Sequence, residues 1–261
     1  MDGSSVGVGI LGCGNVGSAL VQLIADHGDT IAARSGVGLE IVRVAVHNTA
    51  KERPVTFADG VLTHDADALV TDADVDVVVE LMGGMEPARR LIRAALDAGK
   101  PVVTANKEVL ANAGAELLEA AAKAGVDLLY EAAVAGAIPL IRPLRESLAG
   151  DRLCRVMGIV NGTTNFILTR MSESGSSFGE ALAEAQELGY AERDPTADVE
   201  GVDAAAKAAI LASIAFGVRV VAGDVYREGI SGVTPSDIDF AGRLGYVVKL
   251  LAIVERHDSR Q

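Results

Sequence analysis

The sequence predicts an α/β protein: a Rossmann-type doubly wound parallel sheet, followed by an α+β substrate domain that we expect to be truncated. Three observations predict this fold. A glycine-rich turn separates an apolar strand from a helix near the amino terminus. Strand and helix patterns then alternate up to Tyr130, as in a parallel sheet with helices on both faces. The runs Val77-Val78-Val79 and Leu128-Leu129 are continuously apolar, which predicts strands buried on both faces.

The first strand and its turn carry the strongest motif of this half. Val6 to Leu11 predict a strand, and Ser18 to Ala25 predict the helix after it. The turn between them has the GxGxxG pattern in its strand–turn–helix setting. Its glycines permit a tight turn, a close approach of a pyrophosphate to the backbone, and close packing of the helix on the strand. We therefore predict cofactor contacts at Gly12, Gly14, Asn15, Val16 and Gly17.

The following elements place further residues at the same edge of the sheet. They are predicted at Leu39 to Val46, Asp76 to Leu81, Glu86 to Ala98, Pro101 to Thr104, Lys107 to Ala124 and Val126 to Tyr130. Ligands of such sheets bind at the carboxyl ends of the strands. Gly83 follows one strand there, and Lys107 follows another, so both are predicted to contact the cofactor. A lysine at a helix start is usually only solvated, and the helix dipole disfavours it.

The choice between NAD and NADP depends on the loop after the second strand. An NAD-preferring fold places Asp or Glu near the end of that strand, to bind the ribose hydroxyl. Here the strand ends Val46-His47-Asn48, and the cations Lys51 and Arg53 follow. These cations are candidates for binding a 2′-phosphate. The alternative, that they are solvated loop charges, stays open, and so does the preferred cofactor.

The second domain is predicted from residue 134 to residue 261, after a dinucleotide-binding domain of residues 1–133. Its predicted elements are a strand from Arg155 to Val160, a helix opening at Phe166, a helix from Phe178 to Leu188 behind a Ser177/Glu180 capping box, a helix beginning at Pro235, and a strand from Val247 to Val254. The last strand is apolar on both faces, so we expect it to be central. Few strands precede it and the sequence stops soon after, so we expect the substrate/catalytic domain to be incomplete at its carboxyl end.

An acidic loop leads into a helix that carries a lysine. Asp194-Pro195 predicts a turn, and Asp203 is predicted as the N-cap of a helix from Ala204 to Phe216. Asp203 and Lys207 are four residues apart, so they share one helix face and a docked amine or hydroxyl can meet both. The alternative is an ordinary surface ion pair.

Calcium binding is a second alternative for this loop. Asp194, Thr196, Asp198 and Glu200 alternate as in an EF-hand. Such a loop needs glycine at its sixth position, but Val199 occupies that position. We therefore reject a calcium loop.

Composition excludes several other classes of protein. The net charge is −13 and no basic cluster offsets it, which argues against a nucleic-acid partner. The longest apolar run, Ala208 to Val218, is too short to cross a bilayer, and no signal peptide precedes the first strand. Cys13 and Cys154 lie in a predicted turn and a predicted strand, so no disulfide is expected. A cytoplasmic location is expected, with no membrane partner.

The segment from Ala185 to Lys207 resembles the signature of homoserine dehydrogenase. The positions that match are Ala185, Gly189, Tyr190, Asp194-Pro195, Asp198, Gly201, Asp203 and Lys207, and the resemblance extends over essentially the whole chain. It implies NAD(P)-dependent interconversion of L-homoserine and L-aspartate 4-semialdehyde, on the route to threonine, isoleucine and methionine. It also implies a homodimer when the protein is complete.

The resemblance implies roles for individual residues. Lys207, Lys107 and Asp203 are expected to be catalytic, and Glu192, Asp198, Asp203 and Lys207 to bind the substrate. A monovalent cation such as sodium is expected at Glu131, Val134, Gly136 and Ile138, although the residues alone predict only a domain hinge there. The chemistry fits independently, because an amino acid needs a carboxylate for its ammonium and reduction of an aldehyde needs a proton. Two alternatives remain: another amino-acid or semialdehyde dehydrogenase on this fold, and a catalytically silent dinucleotide-binding protein.

Overall fold

The structure, a computed structural model, describes residues 5–257. The chain divides into two compact units, Met1–Ala133 (unit 1) and Val134–Gln261 (unit 2). Each unit has its own sheet and its own helices. Among residues 5–257, no helix is long and apolar enough to cross a membrane. Both Cys13 and Cys154 are free thiols.

Unit 1 contains a six-stranded parallel sheet, which confirms the Rossmann-type prediction. Its strands are β1 (Ser5–Leu11), β2 (Gly38–Ala45), β3 (Leu62–Thr63), β4 (Val77–Glu80), β5 (Val102–Thr104) and β6 (Leu128–Leu129). Their order is β3-β2-β1-β4-β5-β6, and every neighbouring pair is parallel. The strand order reverses between β1 and β4. In open parallel sheets the ligand crevice lies at such a reversal, outside the carboxyl ends of the strands.

The helices of unit 1 are α1 (Asn15–Ser35), α2 (Ala66–Thr71), α3 (Ala88–Asp97) and α4 (Lys107–Ala124). Helix α4 has the predicted bounds, because Asn106 caps its start and Gly125 ends it in the left-handed region, with φ 69°. Helix α1 is much longer than predicted. Its polar second half stays helical on an exposed face until Gly36, with φ 77°. Strand β3 and helix α2 are short, and the sequence pattern does not predict them.

The core of unit 1 lies between the central strands and their helices. Ile10, Val44 and Val78 are fully buried, as expected of strands covered on both faces. The same expectation is wrong for Leu129, whose exposed fraction is 46%. Strand β6 is the last strand of the sheet order, so one of its edges has no neighbouring strand among the described residues of unit 1.

Unit 2 is mainly helical. Its helices are α5 (Gly162–Ser174), α6 (Phe178–Glu187), α7 (Thr196–Val199), α8 (Val202–Phe216) and α9 (Pro235–Arg243), and its strands are β7 (Arg155–Gly158) and β8 (Ala252–Glu255). Ile167, Leu168 and Met171 of α5 pack with residues of α6 and α9 in one buried cluster. The Ser177/Glu180 capping box is confirmed, and Thr234 with Asp237 forms another before α9.

The bounds of two elements of unit 2 differ from those predicted. Helix α5 begins at Gly162 rather than at Phe166, because Asn161 caps it. The predicted central strand from Val247 to Val254 is reduced to β8, which within residues 5–257 pairs with β7 alone, in an antiparallel two-stranded sheet. Residues of β8 alternate between buried and exposed, with Val254 at 8% and Ile253 at 48% exposure. The strand therefore buries one face instead of two.

Candidate functional site

The glycine turn after β1 is shaped by contacts that exclude side chains. Gly12 has φ 95°, and a Cβ there would lie 2.9 Å from the Leu81 backbone. A Cβ on Gly17 would lie 2.4 Å from the Gly12 carbonyl oxygen, so α1 can pack this closely only with glycine. A Cβ on Gly14 would meet no atom within 4 Å. The Gly14 side of the turn is therefore open, as a site for a pyrophosphate requires.

The amino terminus of α1 faces this turn with its first N–H groups. Asn15 and Val16, both predicted to contact the cofactor, are the first two residues of the helix and are exposed. Gly14 offers no side-chain cap, and the first turn holds no acidic residue. Uncapped N–H groups and the helix dipole favour an anion at such an end.

Glu80 organises the carboxyl ends of β4 and β5. Its carboxylate is fully buried and accepts hydrogen bonds from Met82 N at 2.8 Å and from the Thr104 hydroxyl at 2.6 Å. Gly83 N at 3.3 Å and Asn106 Nδ2 at 3.5 Å also approach it. Glu80 is not among the residues predicted from the sequence. In the sequence, the feature that could have indicated Glu80 is an acidic residue at the end of an otherwise apolar strand.

Gly83 and Lys107 belong to two segments that this network joins. Asn106 Nδ2 donates to the Gly84 carbonyl at 2.8 Å, while Asn106 Oδ1 accepts the Val109 N–H as the N-cap of α4. Lys107 is the first residue of α4 and is exposed. The structure thus brings the turn that contains Gly83 next to the helix start that carries Lys107.

The loop after β2 holds the two cations considered for a 2′-phosphate. Arg53 donates from Nη1 to the Lys51 carbonyl and from Nη2 to the Asn48 carbonyl, each at 2.7 Å. Arg53 therefore shapes the loop, and Lys51 is left exposed on it. No acidic residue ends β2, since Val46 and His47 follow it.

In unit 2, Asp203 and Lys207 form a buried pair. Lys207 Nζ donates to Asp203 Oδ2 at 2.7 Å and to the Val160 carbonyl at 2.6 Å. The Asp203 side chain is 2% exposed and that of Lys207 is 16% exposed, so this is not a surface ion pair. The predicted N-cap role of Asp203 is wrong. Helix α8 begins at Val202 with Gly201 at the cap position, which leaves Asp203 in the first turn and available to Lys207.

Asn161 ties this pair to the acidic loop. Its Nδ2 donates to Asp203 Oδ2 at 2.9 Å and to Asp198 Oδ1 at 2.7 Å. Its Oδ1 accepts hydrogen bonds from the N–H and the hydroxyl of Thr164. Asn161 is thereby the N-cap of α5. Asn161 is absent from the residues predicted by sequence. The available signal was the polar run from Asn161 to Asn165 directly after a strand.

The other residues predicted for the acidic loop lie apart from this cluster. Glu192 is exposed, and its carbonyl accepts a hydrogen bond from Gln186 Nε2 at 3.0 Å. No hydrogen bond in residues 5–257 joins its side chain to Asp198, Asp203 or Lys207. Asp194 instead bonds the hydroxyl and N–H of Thr196, which lowers the pKa of the Asp194 carboxyl.

The predicted cation ligands lie on both sides of the division between the units. Glu131 belongs to a short turn of unit 1, while Val134, Gly136 and Ile138 belong to unit 2. Ala135 and Gly136 both have positive φ, 63° and 53°. The described part of the chain contains no group of three or more His, Cys, Asp or Glu suited to a metal ion. A cation here would therefore depend on backbone carbonyls, and the site remains a prediction.

A parallel sheet with an open glycine turn, followed by a helical unit with a buried lysine–aspartate pair, defines the class of NAD-binding Rossmann proteins with a separate second unit. Two family models match the chain, one in each half. The model described as "Homoserine dehydrogenase, NAD binding domain" matches residues 12–131, and the model described as "Homoserine dehydrogenase" matches residues 139–259. The chain belongs to the homoserine dehydrogenase family.

Individual relatives agree with this family. The chain is 56% identical over 255 residues to the homoserine dehydrogenase of Mycobacterium tuberculosis, covering 98% of this chain and 57% of the relative. A crystal structure of a homoserine dehydrogenase from Thiobacillus denitrificans matches with a TM-score of 0.92 at 46% identity, over 98% of this chain and 59% of that chain. A hyperthermophilic archaeal homoserine dehydrogenase in complex with NADPH matches with a TM-score of 0.77 at 27% identity, over 97% and 79%. The chain thus spans less than two thirds of the length of the curated relative it matches.

Proposed function

We propose that this chain carries the dinucleotide and catalytic units for reversible hydride transfer between NAD(P)H and L-aspartate 4-semialdehyde, which gives L-homoserine. The observation that carries the proposal is the buried Asp203–Lys207 pair with Asn161, in a chain of the homoserine dehydrogenase family. A hydride adds to the aldehyde carbon, and the carbonyl oxygen takes a proton. The reverse reaction removes both from homoserine.

Lys207 is suited to the proton step. Its ammonium has three N–H donors, and two of them bind Asp203 and the Val160 carbonyl. The third remains for the oxygen of a substrate, through the exposed 16% of the side chain. Because Asp203 and Val160 fix the direction of Nζ, the lysine meets the substrate oxygen in one orientation, which favours general acid–base catalysis.

The carboxylates have separate proposed roles. Asp203 is buried and holds Lys207, while Asp198 is held to the same Asn161 amide. The exposed Glu192 is a proposed partner of the substrate ammonium, since its side chain makes no hydrogen bond in the described part of the chain. Lys107 is proposed to act from the dinucleotide edge of unit 1.

For the cofactor, we propose NAD or NADP, with NADP accepted. The match to the NAD binding domain model supports a nicotinamide dinucleotide, and the archaeal relative holds NADPH. No acid ends β2 to repel a 2′-phosphate, and Lys51 is exposed on the following loop. The predicted contacts at Gly12, Gly14, Asn15, Val16, Gly17 and Gly83 belong to this proposal, as does Arg53.

A monovalent cation is part of the proposal. Hard cations prefer oxygen ligands, and the residues from Val134 to Ile138 turn tightly, with an Ile138 N–H to Ala135 carbonyl bond of 3.0 Å. The donors would be carbonyls of Val134, Gly136 and Ile138, with Glu131. Such a cation would order this segment of the chain.

A homodimer is also proposed. Met157 and Ile253 are paired across β7 and β8 and are 53% and 48% exposed, so one face of this small sheet offers apolar area to a second copy. Light scattering during gel filtration tests this, with Met157→Lys as the variant expected to give monomers.

The direct test is homoserine-dependent reduction of NAD and NADP by the 261-residue chain. The Mycobacterium tuberculosis relative serves as positive control. Substrate-dependent turnover that Lys207→Ala abolishes supports the proposal. Turnover with another amino alcohol but not with homoserine contradicts the substrate assignment, and failure to bind either dinucleotide contradicts the cofactor assignment.

A further inference from the structure

Glu80 is a fully buried carboxylate that the reaction described above does not use. It is the last residue of β4, and in the sheet register it lies opposite Leu11, the residue before Gly12. This is the point where the strand order reverses, between β1 and β4. Glu80 therefore lies at the edge where a dinucleotide binds in this class of fold.

The partners of Glu80 are all hydrogen-bond donors. Oε1 receives the N–H groups of Met82 and Gly83, at 2.8 Å and 3.3 Å, and Asn106 Nδ2 approaches it at 3.5 Å. Oε2 receives the Thr104 hydroxyl at 2.6 Å, and the same hydroxyl oxygen accepts Asn106 N–H. An ionised carboxylate only accepts, so this set of partners suits the ionised form.

The negative charge of Glu80 has no cationic partner. No lysine, arginine or histidine in residues 5–257 lies within ion-pair distance of its carboxylate; its four partners are neutral groups. A buried charge without a counter-ion is costly, and neutral donors offset only part of the cost. The oxidised nicotinamide ring carries a positive charge and the reduced ring carries none. A fixed negative charge at this edge would therefore raise the affinity for the oxidised form relative to the reduced form.

We infer that Glu80 is a positioning residue of the dinucleotide edge, which ties the turn from Met82 to Gly84 to the start of α4 and favours the oxidised cofactor over the reduced one. This inference rests on the proposed binding of NAD(P). The connection consists of hydrogen bonds. The Glu80 carboxylate accepts one from the Thr104 hydroxyl and lies near the Asn106 amide. The Asn106 side chain in turn donates to the Gly84 carbonyl and caps α4.

The test is calorimetric titration of the 261-residue chain with NADP⁺ and with NADPH, together with thermal unfolding. Glu80→Gln removes the charge and keeps the shape, and it should weaken NADP⁺ about threefold to tenfold more than NADPH. Thr104→Val removes one tie and keeps the charge, so it should weaken both forms by a similar factor. Asp76→Asn is the matched control. Asp76 accepts Gly7 N at 2.7 Å at the opposite end of the same strand pair, so its loss should leave both affinities unchanged.

Each outcome decides the inference. Equal losses for both forms in Glu80→Gln, or wild-type affinities, would overturn it, as would an Asp76→Asn variant that behaves in the same way. If Glu80→Gln fails to fold, Glu80→Asp keeps the charge with a shorter reach and should retain the ratio of NADP⁺ affinity to NADPH affinity that is measured for the wild type. A wild-type chain that binds both forms but does not oxidise homoserine contradicts the proposed activity and leaves this inference standing; a chain that binds neither form overturns both.

Discussion

The side-chain amide of Asn161 donates a 2.9 Å hydrogen bond to the Asp203 oxygen that also binds Lys207, across 42 positions of sequence. One asparagine thus joins the start of α5 to the first turn of α8. Its amide group has two functions that can be separated, because Oδ1 caps α5 and Nδ2 holds the carboxylates.

Asn161→Ser tests that separation. Serine is a good N-cap, so the free energy of unfolding should fall by no more than about 1 kcal/mol. The two donors to Asp198 and Asp203 are lost, and turnover should fall by at least about tenfold, since reacting groups tolerate little misplacement. Chemical denaturation and steady-state kinetics measure the two effects. Wild-type turnover in a stable Asn161→Ser protein would show that Asn161 only caps the helix.

Lys207→Ala should lower turnover by about two to four decades, the usual size for a general acid or base. Cofactor affinity should stay close to that of the wild type. Lys249→Ala is the matched control, because Lys249 is another lysine of unit 2 whose Nζ donates to the Thr169 hydroxyl, outside the cluster. A loss below threefold in Lys207→Ala would reduce Lys207 to a structural ion-pair partner.

Gly14→Ala should separate cofactor binding from folding. A Cβ there meets no protein atom within 4 Å, so stability should be unchanged, while the added methyl group obstructs a pyrophosphate and lowers affinity by at least about tenfold. In Gly17→Ala the new Cβ meets the Gly12 carbonyl, so stability should fall as well. Gly28→Ala, on an open part of α1, serves as control and should stabilise by about 0.5–1 kcal/mol. Unchanged affinity in Gly14→Ala would contradict the proposed pyrophosphate position.

The two cations after β2 should respond differently to removal. Lys51→Ala should weaken NADP more than NAD, because it removes an exposed charge from the loop. Arg53→Ala should weaken both cofactors, because Arg53 also binds the carbonyls of Asn48 and Lys51. Turnover is compared for the two cofactors in each variant. An enzyme that uses NAD alone, and that neither change affects, would disprove the role of this loop.

The two capping boxes should make unit 2 sensitive to acid. Hydrogen bonds from Ser177 lower the pKa of Glu180, and those from Thr234 lower the pKa of Asp237. A carboxyl whose folded pKa is lowered contributes stability above its unfolded pKa, about 4, and loses it as pH falls through the folded value. Glu180→Gln and Asp237→Asn should therefore be less stable than wild type at neutral pH and converge with it in acid. A stability difference that persists below the folded pKa values would contradict this assignment.

Local signals were sufficient for much of the fold. The bounds of α4 follow from Asn106 and Gly125, and the capping box of Ser177 with Glu180 is visible in four residues. Asn161 and Glu80 were not predictable in the same way, because their roles depend on partners 37, 42 and 24 positions away. The segment from Val247 to Leu251 is apolar except for Lys249 but forms no strand, since strands need a neighbour that a periodic pattern does not reveal.

Because Asn161 both caps α5 and holds the two carboxylates, hydrogen exchange at one backbone amide reports on the state of the site. Thr164 N–H binds Asn161 Oδ1 at 2.9 Å and is fully buried, so its hydrogen can exchange with solvent only when the start of α5 opens. The same opening frees the amide that holds Asp198 and Asp203. The exchange rate of this single amide therefore measures how often the lysine–aspartate pair loses its support, in a protein that is otherwise folded and carries no substrate.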